Sequence, residues 1–577
     1  MTDHPVELPE FVETEEGSSL YYKNKWLYSR HKPVSRAIAL TAALPIQEEC
    51  LYIVYSPCLW YGIPELLARL PATSAILALE HDPALYKLAQ DNLPHTIKDA
   101  MEQKRLALMP YGLEANVFDI VSRLGRFRRV QEVILSSGWT LAPVWYKAFP
   151  QKLLQHFSDY YRSRLTLMRM GMLWIRNTLK NILALPPVPA QIPQSLKPVL
   201  VCGAGLSLYN ALPFIKQSRK DFFILACDTA FGTLKDAGIT PDSIVCLDAQ
   251  IYNMKDLIGY KETGILPHAF LDISAHPSFY KNIFTSVTPV ITQWAQTALL
   301  TRLLNLPYNF ITLPPYGSVG ITALALAAKI AQKEIWITGL DFAFTGGWTH
   351  APGTHIDQHE LAHESRLYKR TQSWSMSFRE GTTAVNLFLR TEPALEMYHA
   401  SCKTLLEQYK NEFIIIDIRS THGLELGLTK IELNEINDKL FLDSSNSENF
   451  TQSGNNKPVC TSFIDTQEAH NPISNSHTVS NSQALSSDAV AENSVIIFKD
   501  FIVREYQAIQ ELREILITGT EPSILTQKLL ELDYLFIHFP DYERVTALGL
   551  DFLKRVALAC EYWMFYLAKI CPECKRS

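Results

Sequence analysis

The sequence predicts an α/β chain: a Rossmann-like central domain on a parallel sheet, an α/β domain before it and a helical bundle after it. Three observations carry that prediction. Short uninterrupted apolar runs alternate with stretches of helical period, several of those runs end in Gly or Asp, and from Asp443 to Asn493 the composition turns to Ser, Asn, Gln, Thr and Asp. Continuous apolar strands mark sheets buried on both faces, as parallel sheets are. At 577 residues, 47% hydrophobic and 19% charged, the chain is globular in composition and too long for one core. The expected divisions are an α/β domain over 1–150, a helical connector and Pro-rich hinge over 151–197, the central domain over 198–440, a flexible linker over 441–493 and a bundle over 494–577.

In the first domain, Leu51–Tyr55 and Ala75–Leu79 flank a helix-like Ile63–Leu70, a βαβ pattern, and Val130–Leu135 reads as a third strand. Glu80 closes the second strand, where dinucleotide folds place an acid on a ribose. The first loop, Ser56-Pro-Cys-Leu-Trp-Tyr-Gly62, lacks a glycine-rich phosphate turn, so this domain is expected to be a scaffold. Tyr146–Leu185 has helical period. After the linker, Tyr506, Ile509, Leu512 and Leu516, and then Val545, Leu548, Phe552, Val556, Ala559, Trp563 and Tyr566, recur at helical spacing.

In the centre, Val199–Cys202 runs into Gly203-Ala-Gly205-Leu-Ser207, and Leu208, Leu212 and Ile215 then keep helical spacing. Such a turn brings backbone close to a phosphate, the helix offers unpaired N–H groups, and Ser207 is placed to cap the helix or donate to a ligand. The layout recurs where Phe222–Cys227 meets Asp228-Thr229 and where Ser243–Leu247 meets Asp248. Gly317-Ser318 opens a second helix, Ile321–Ala331, and Lys333–Thr338 leads into Gly339-Leu-Asp341. A tight turn or an N-cap explains any one of these alone. Their repetition at strand ends points to one crevice suited to a phosphate or nucleotide, built from Gly203, Gly205, Ser207, Asp228, Thr229, Asp248, Gly317, Ser318, Gly339 and Asp341.

Between Thr345 and His363 lies a loop rich in titratable groups, Trp348-Thr-His350-Ala-Pro-Gly-Thr-His355 and beyond, suited to a mobile cover. His355, His359 and His363, four apart, are candidates for a general base, or for a metal-holding stripe if helical. Arg366, Lys369 and Arg370 supply charge for a leaving phosphate or simply a solvated face. The motifs demand no cofactor, and acids at strand ends are oxygen donors of the type that magnesium or manganese takes.

Other classes are excluded. A net charge of −6 with no basic block argues against nucleic acid. The most apolar windows are broken by charges, so no membrane span is expected, and Met1–Glu10 lacks the features of a secretory signal, which predicts a cytoplasmic protein. Ten scattered cysteines read as reduced thiols, with Cys571 and Cys574 only half a zinc site.

The set Gly203-Ala-Gly-Leu-Ser-Leu, Asp228-Thr-Ala, Gly238-Ile-Thr-Pro-Asp242, Asp248, Gly317-Ser-Val-Gly320, Gly339-Leu-Asp-Phe and Thr345-Gly-Gly-Trp-Thr-His-Ala-Pro-Gly resembles the motility-associated-factor (Maf) proteins, taken to be flagellin glycosyltransferases. The similarity spans at least Pro198 to Asp357, and the early strands with Glu80 look like that family's N-terminal domain. The central domain is similar in turn to bacterial sialyltransferases. The resemblance implies a CMP-activated nonulosonic acid of the pseudaminic or legionaminic kind as donor, and flagellin Ser or Thr as acceptor. In the sialyltransferases a histidine beyond the Asp-Phe pair is the base, which implies that role for His355, His359 or His363. The chain departs from the pattern at Leu206, where the family's glycine turn usually has Pro. The same domain also resembles MptE-like 6-hydroxymethylpterin diphosphokinases, which implies pyrophosphate transfer from ATP with magnesium. A non-catalytic flagellin-binding factor that kept a nucleotide fold is the third reading.

Overall fold

The computed structural model describes residues 8–109, 112, 117–259, 267–281, 283–295, 297–367, 369, 372–419, 422–431, 487–542 and 549–576. Arg370, Val545, Leu548 and nearly all of the Ser/Asn-rich stretch lie outside the described residues. The chain forms two compact units, 1–167 and 168–577.

The first unit opens with a small antiparallel sheet of β1 (Glu10–Thr14), β2 (Gly17–Tyr22) and β3 (Lys25–Trp26), which the sequence reading did not foresee. Its second sheet is parallel, with β4 (Cys50–Tyr55), β5 (Ala75–Leu79), β6 (Leu106–Leu108) and β7 (Arg129–Ile134) in the order β6-β5-β4-β7. Every residue of β4 and β5 is buried, as continuous apolar strands require. The connector is a single helix, Pro143–Asn181.

The second unit is organised by a nine-stranded sheet. Its strands are β8 (Val199–Cys202), β9 (Phe223–Cys227), β10 (Ser243–Cys246), β11 (His268–Asp272), β12 (Val287–Thr292), β13 (Ile311–Leu313) and β14 (Glu334–Thr338). A small antiparallel sheet of β15 (Phe344–Thr345), β16 (Thr383–Ala384) and β17 (Leu389–Thr391) interrupts the series before β18 (Ile414–Asp417) and β19 (Thr429–Lys430). The large sheet runs β13-β12-β11-β10-β9-β8-β14-β18-β19 with every neighbour parallel. The alanine-rich helix Val319–Ile330 is buried along most of its length in the core under this sheet. Small side chains let it lie close to the strands.

Three helices follow, Ser487–Thr518, which begins inside the stretch expected to be linker, Pro522–Glu531 and Leu550–Ile570, with Ile509, Leu512, Val556 and Trp563 buried. Arg302, from the helix Ala298–Leu304, ties them to the sheet. Its guanidinium donates to both carboxylate oxygens of Glu505 at 2.7 and 2.8 Å and to the Glu531 carbonyl at 2.7 Å. The Tyr534 hydroxyl completes this set on Glu505 at 2.9 Å. The nine described cysteines are all free and buried. Among the described residues no helix is long and apolar enough to cross a membrane.

Candidate functional site

From β8 the chain winds toward β9 on one side and returns on the other at β14, so connections diverge between β8 and β14. Parallel sheets bind ligands at such a switch point. The turns after these two strands cross at backbone contact. Gly339 has φ +71°, and a Cβ there would collide with the Gly203 carbonyl, as one on Gly203 would with the Gly339 carbonyl. The Gly203 N–H donates to Thr338 O at 2.9 Å and the Gly205 N–H to Gly339 O at 2.8 Å. The glycines are therefore required by the crossing itself, before any ligand is considered.

Ser207 and Asp341 hold each other rather than standing open to a ligand. Asp341, 3% exposed, accepts the Ser207 N–H at 2.9 Å and the Ser207 hydroxyl, whose oxygen in turn accepts the Gly339 N–H at 2.8 Å. The helix start offered to a phosphate, Leu206–Gln217, thus already carries a protein carboxylate. The crossing is braced from behind by a buried pair: Arg419 clasps Asp417 at 2.8 and 3.0 Å and donates to the Leu340 carbonyl at 2.6 Å and the Leu424 carbonyl at 3.0 Å.

A cavity of about 390 Å³ opens over this crossing. Gly203–Gly205 and Gly339–Phe344 line it, with Thr229, Ser318–Gly320, His350, Glu360, Arg379 and Tyr398. Here the second helix start remains open. Ser318 is the N-cap of Val319–Ile330 and makes no side-chain cap bond, and the first N–H groups of a helix have no intrahelical acceptor. Gly317, at φ +73°, passes under Tyr398, where a Cβ would stand 2.9 Å from the ring. The cavity also holds a cation that sequence reading missed, Arg379, which is paired with Glu392. Arg366 and Lys369 are exposed and outside the cavity wall.

Three carboxylates gather beyond β9 and β10, outside the cavity wall. Asp228 is fully buried; one oxygen accepts the Thr229 N–H at 2.8 Å, and Oδ2 has no partner among the described residues. Burial, then the charges of Asp248 and Asp256, push its pKa well up. Asp248 takes the Asn253 amide at 2.8 Å and is raised by burial. Asp256, from the 3-10 turn Ile251–Leu257, is raised to about 6 by burial and by Asp248. Such a group seeks hydroxyl or amino donors, and when protonated offers a donor of its own. Asp256 was invisible beforehand because no local signal shows that this turn folds back toward Asp228. Among the described residues no group of three or more His, Cys, Asp or Glu is arranged to hold a metal ion.

The expected histidines form the stripe their spacing implies, on the helix His355–His363. His359 and His363 are exposed, with rings 4.3 Å apart, and His363 Nδ1 lies 2.8 Å from the His359 carbonyl. His355 packs on Tyr252 at 5.5 Å, its Nε2 buried without a partner among the described residues. None of the three lines the cavity, toward which the helix turns Ile356 and Glu360. The histidine in the wall is His350, whose Nδ1 is buried with no partner among the described residues and whose pKa burial lowers. The four-residue spacing drew attention to the stripe and away from the turn before it.

Residues 175–347 match the family described as 6-hydroxymethylpterin diphosphokinase MptE-like. An uncharacterized protein of Treponema pallidum (strain Nichols) is 26% identical over 585 aligned residues, covering 98% of this chain and 96% of its own. A second uncharacterized protein of that organism is 33% identical over 82 residues, 14% of this chain and 39% of its own. Among solved structures, the MAf glycosyltransferase from Magnetospirillum magneticum AMB-1 superposes with a TM-score of 0.57 at 13% identity, over 98% of this chain and 90% of that one. At that identity the likeness is one of fold. The chain therefore has the fold of a MAf glycosyltransferase along nearly all its length and matches the MptE-like family in its centre, the two similarities its motifs carry.

Proposed function

We propose that the second unit is a glycosyltransferase that moves a nonulosonic acid of the pseudaminic or legionaminic kind from its CMP-activated form to Ser or Thr of flagellin. The observation that carries sugar transfer is the pairing, in one cavity over the β8/β14 crossing, of an open helix start at Ser318–Gly320 with His350. The donor and acceptor rest on the motif resemblance and on the fold shared with the MAf glycosyltransferase.

In this reading the free N–H groups after Ser318 hold the departing phosphate, with Arg379 released from Glu392 to add charge. His350 takes the proton from the acceptor hydroxyl. Burial keeps it neutral near pH 7, the state a base requires. Thr229 reaches the nucleotide from the cavity wall, while Asp228, Asp248 and Asp256 accept amino or hydroxyl groups beyond it. The glycines, Ser207 and Asp341 shape the floor.

The MptE-like match favours a second reading, pyrophosphate transfer from ATP. Intact-mass analysis of flagellin co-expressed with this chain and a CMP-nonulosonic acid pathway separates the two. A mass gain that needs both the pathway and His350 is expected. Unmodified flagellin, beside a chain that binds ATP with magnesium and ignores CMP, overturns the proposal in favour of the kinase.

A further inference from the structure

The four-stranded sheet of the first unit, ordered β6-β5-β4-β7, has its own switch point between β4 and β7. A cavity of about 330 Å³ opens there, bordered by Glu80 and His81 after β5, Gly138 after β7, and Leu141 and Tyr146 beyond. Glu80 is 1% exposed. It accepts the Ser56 hydroxyl at 2.6 Å, the Tyr146 hydroxyl at 2.9 Å and the Asp82 N–H at 3.1 Å. Among the described residues no cation pairs with it, and burial pushes its pKa up to about 7. A buried carboxyl without a cation is costly to keep even when hydrogen-bonded, and a scaffold does not need one.

The loop that follows β4 is also strained. Ser56, Cys58 and Trp60 have φ of 49°, 46° and 65°, three left-handed residues without a glycine among them. Each is held in a sparsely populated conformation, and such strain gathers at ligand sites. Gly138 belongs to the same arrangement, since a Cβ there would collide with the Ser56 hydroxyl.

The chemistry of the walls selects the ligand. Leu59 and Trp60 are buried where a glycine turn would admit a phosphate. Asp82 already caps the helix Pro83–Asp91, accepting from Ala84 and Leu85. Glu80 and Asp82 both border the cavity, and Lys23, which also borders it, is already paired with Asp82 at 2.6 Å, so an anion is disfavoured. A carboxylate at a strand end takes paired hydroxyls. We propose that the first unit binds a phosphate-free ligand through a vicinal diol held by Glu80, the diol being that of a ribonucleoside or of a free sugar. His81 Nδ1, buried without a partner among the described residues, supplies a second fixed polar atom, its ring stacked on Trp145 at 4.6 Å.

The test is isothermal titration of the full chain with adenosine, uridine, 2′-deoxyadenosine and D-ribose. A ribonucleoside or ribose is expected to bind, and Glu80→Gln to weaken it tenfold or more. Leu141→Trp, which fills the cavity without touching Glu80, abolishes binding, and Asp228→Asn in the second unit leaves it unchanged. Binding by adenosine or uridine that falls on loss of the 2′-hydroxyl, with ribose silent, supports the proposal and names the nucleoside as source; binding of ribose as well supports it with the sugar as source. No heat from any probe with the native chain, or binding that survives both Glu80→Gln and Leu141→Trp, overturns it.

Discussion

At the scale of single residues, burial separates histidines that sequence treats alike. His350→Gln is expected to lower the transfer kcat by about 10²–10⁴ with KM nearly unchanged, whereas His359→Gln and His363→Gln leave both near native. Steady-state kinetics on the three variants checks this. His268 shows the same physics as a stability effect. Its ring lies 2.9 Å from the Ser243 hydroxyl and 2.8 Å from the Thr288 hydroxyl, and burial pushes its pKa down to about 4. The unfolded chain, with a pKa near 6.5, therefore binds the proton first as pH falls. The contribution is full above about pH 6.5, declines through the window down to about 4, and amounts to about 2–3 kcal/mol. Urea denaturation between pH 7 and pH 4 should show that loss, and His268→Gln should flatten it.

At the scale of elements, the crossing of the two glycine turns depends on what stands behind it. Arg419→Met leaves Asp417 buried and unpaired, and is expected to cost about 3–5 kcal/mol in chemical denaturation. The milder Arg419→Lys keeps the charge but loses the fork that spans Asp417 and the Leu340 carbonyl. It should stay folded and weaken CMP binding in a titration, because the Gly339–Asp341 turn is no longer held. The elements themselves were unevenly legible. β8, β9, β10 and β14 stand out as continuous apolar runs ending in Gly or Asp, and the long connector helix and the Gly317-Ser318 start were plain from period and turn residues. β11 begins on His268, β12 carries Pro289 in its middle, and β13 is three residues long, so each breaks a rule by which strands are recognised. Of the site, the strand-end residues could be read, but which atoms remained free could not. That Asp341 occupies the Ser207 N–H, that His350 and not the stripe faces the cavity, and that Asp256 folds back to Asp228 are facts of packing between segments distant in sequence.

At the scale of the whole second unit, the C-terminal helices are held across a long sequence gap by Arg302, Glu505 and Tyr534, in a position where Glu505 is buried. Glu505→Ala strands Arg302 and is expected to cost about 3 kcal/mol in guanidinium denaturation, while Lys499→Ala, which breaks the exposed pair with Glu573, leaves the midpoint close to native. The helices are thus part of this unit's stability. The crossing of Gly203 and Gly339 also has a consequence for how such a protein changes over time. Each glycine is the smallest residue there is, so a side chain acquired at one cannot be offset by shrinkage at the other, and neither position has a viable first step. Any change in what the cavity binds must proceed around this fixed point, through the His350 turn and Arg379 in its wall, while the floor stays as it is.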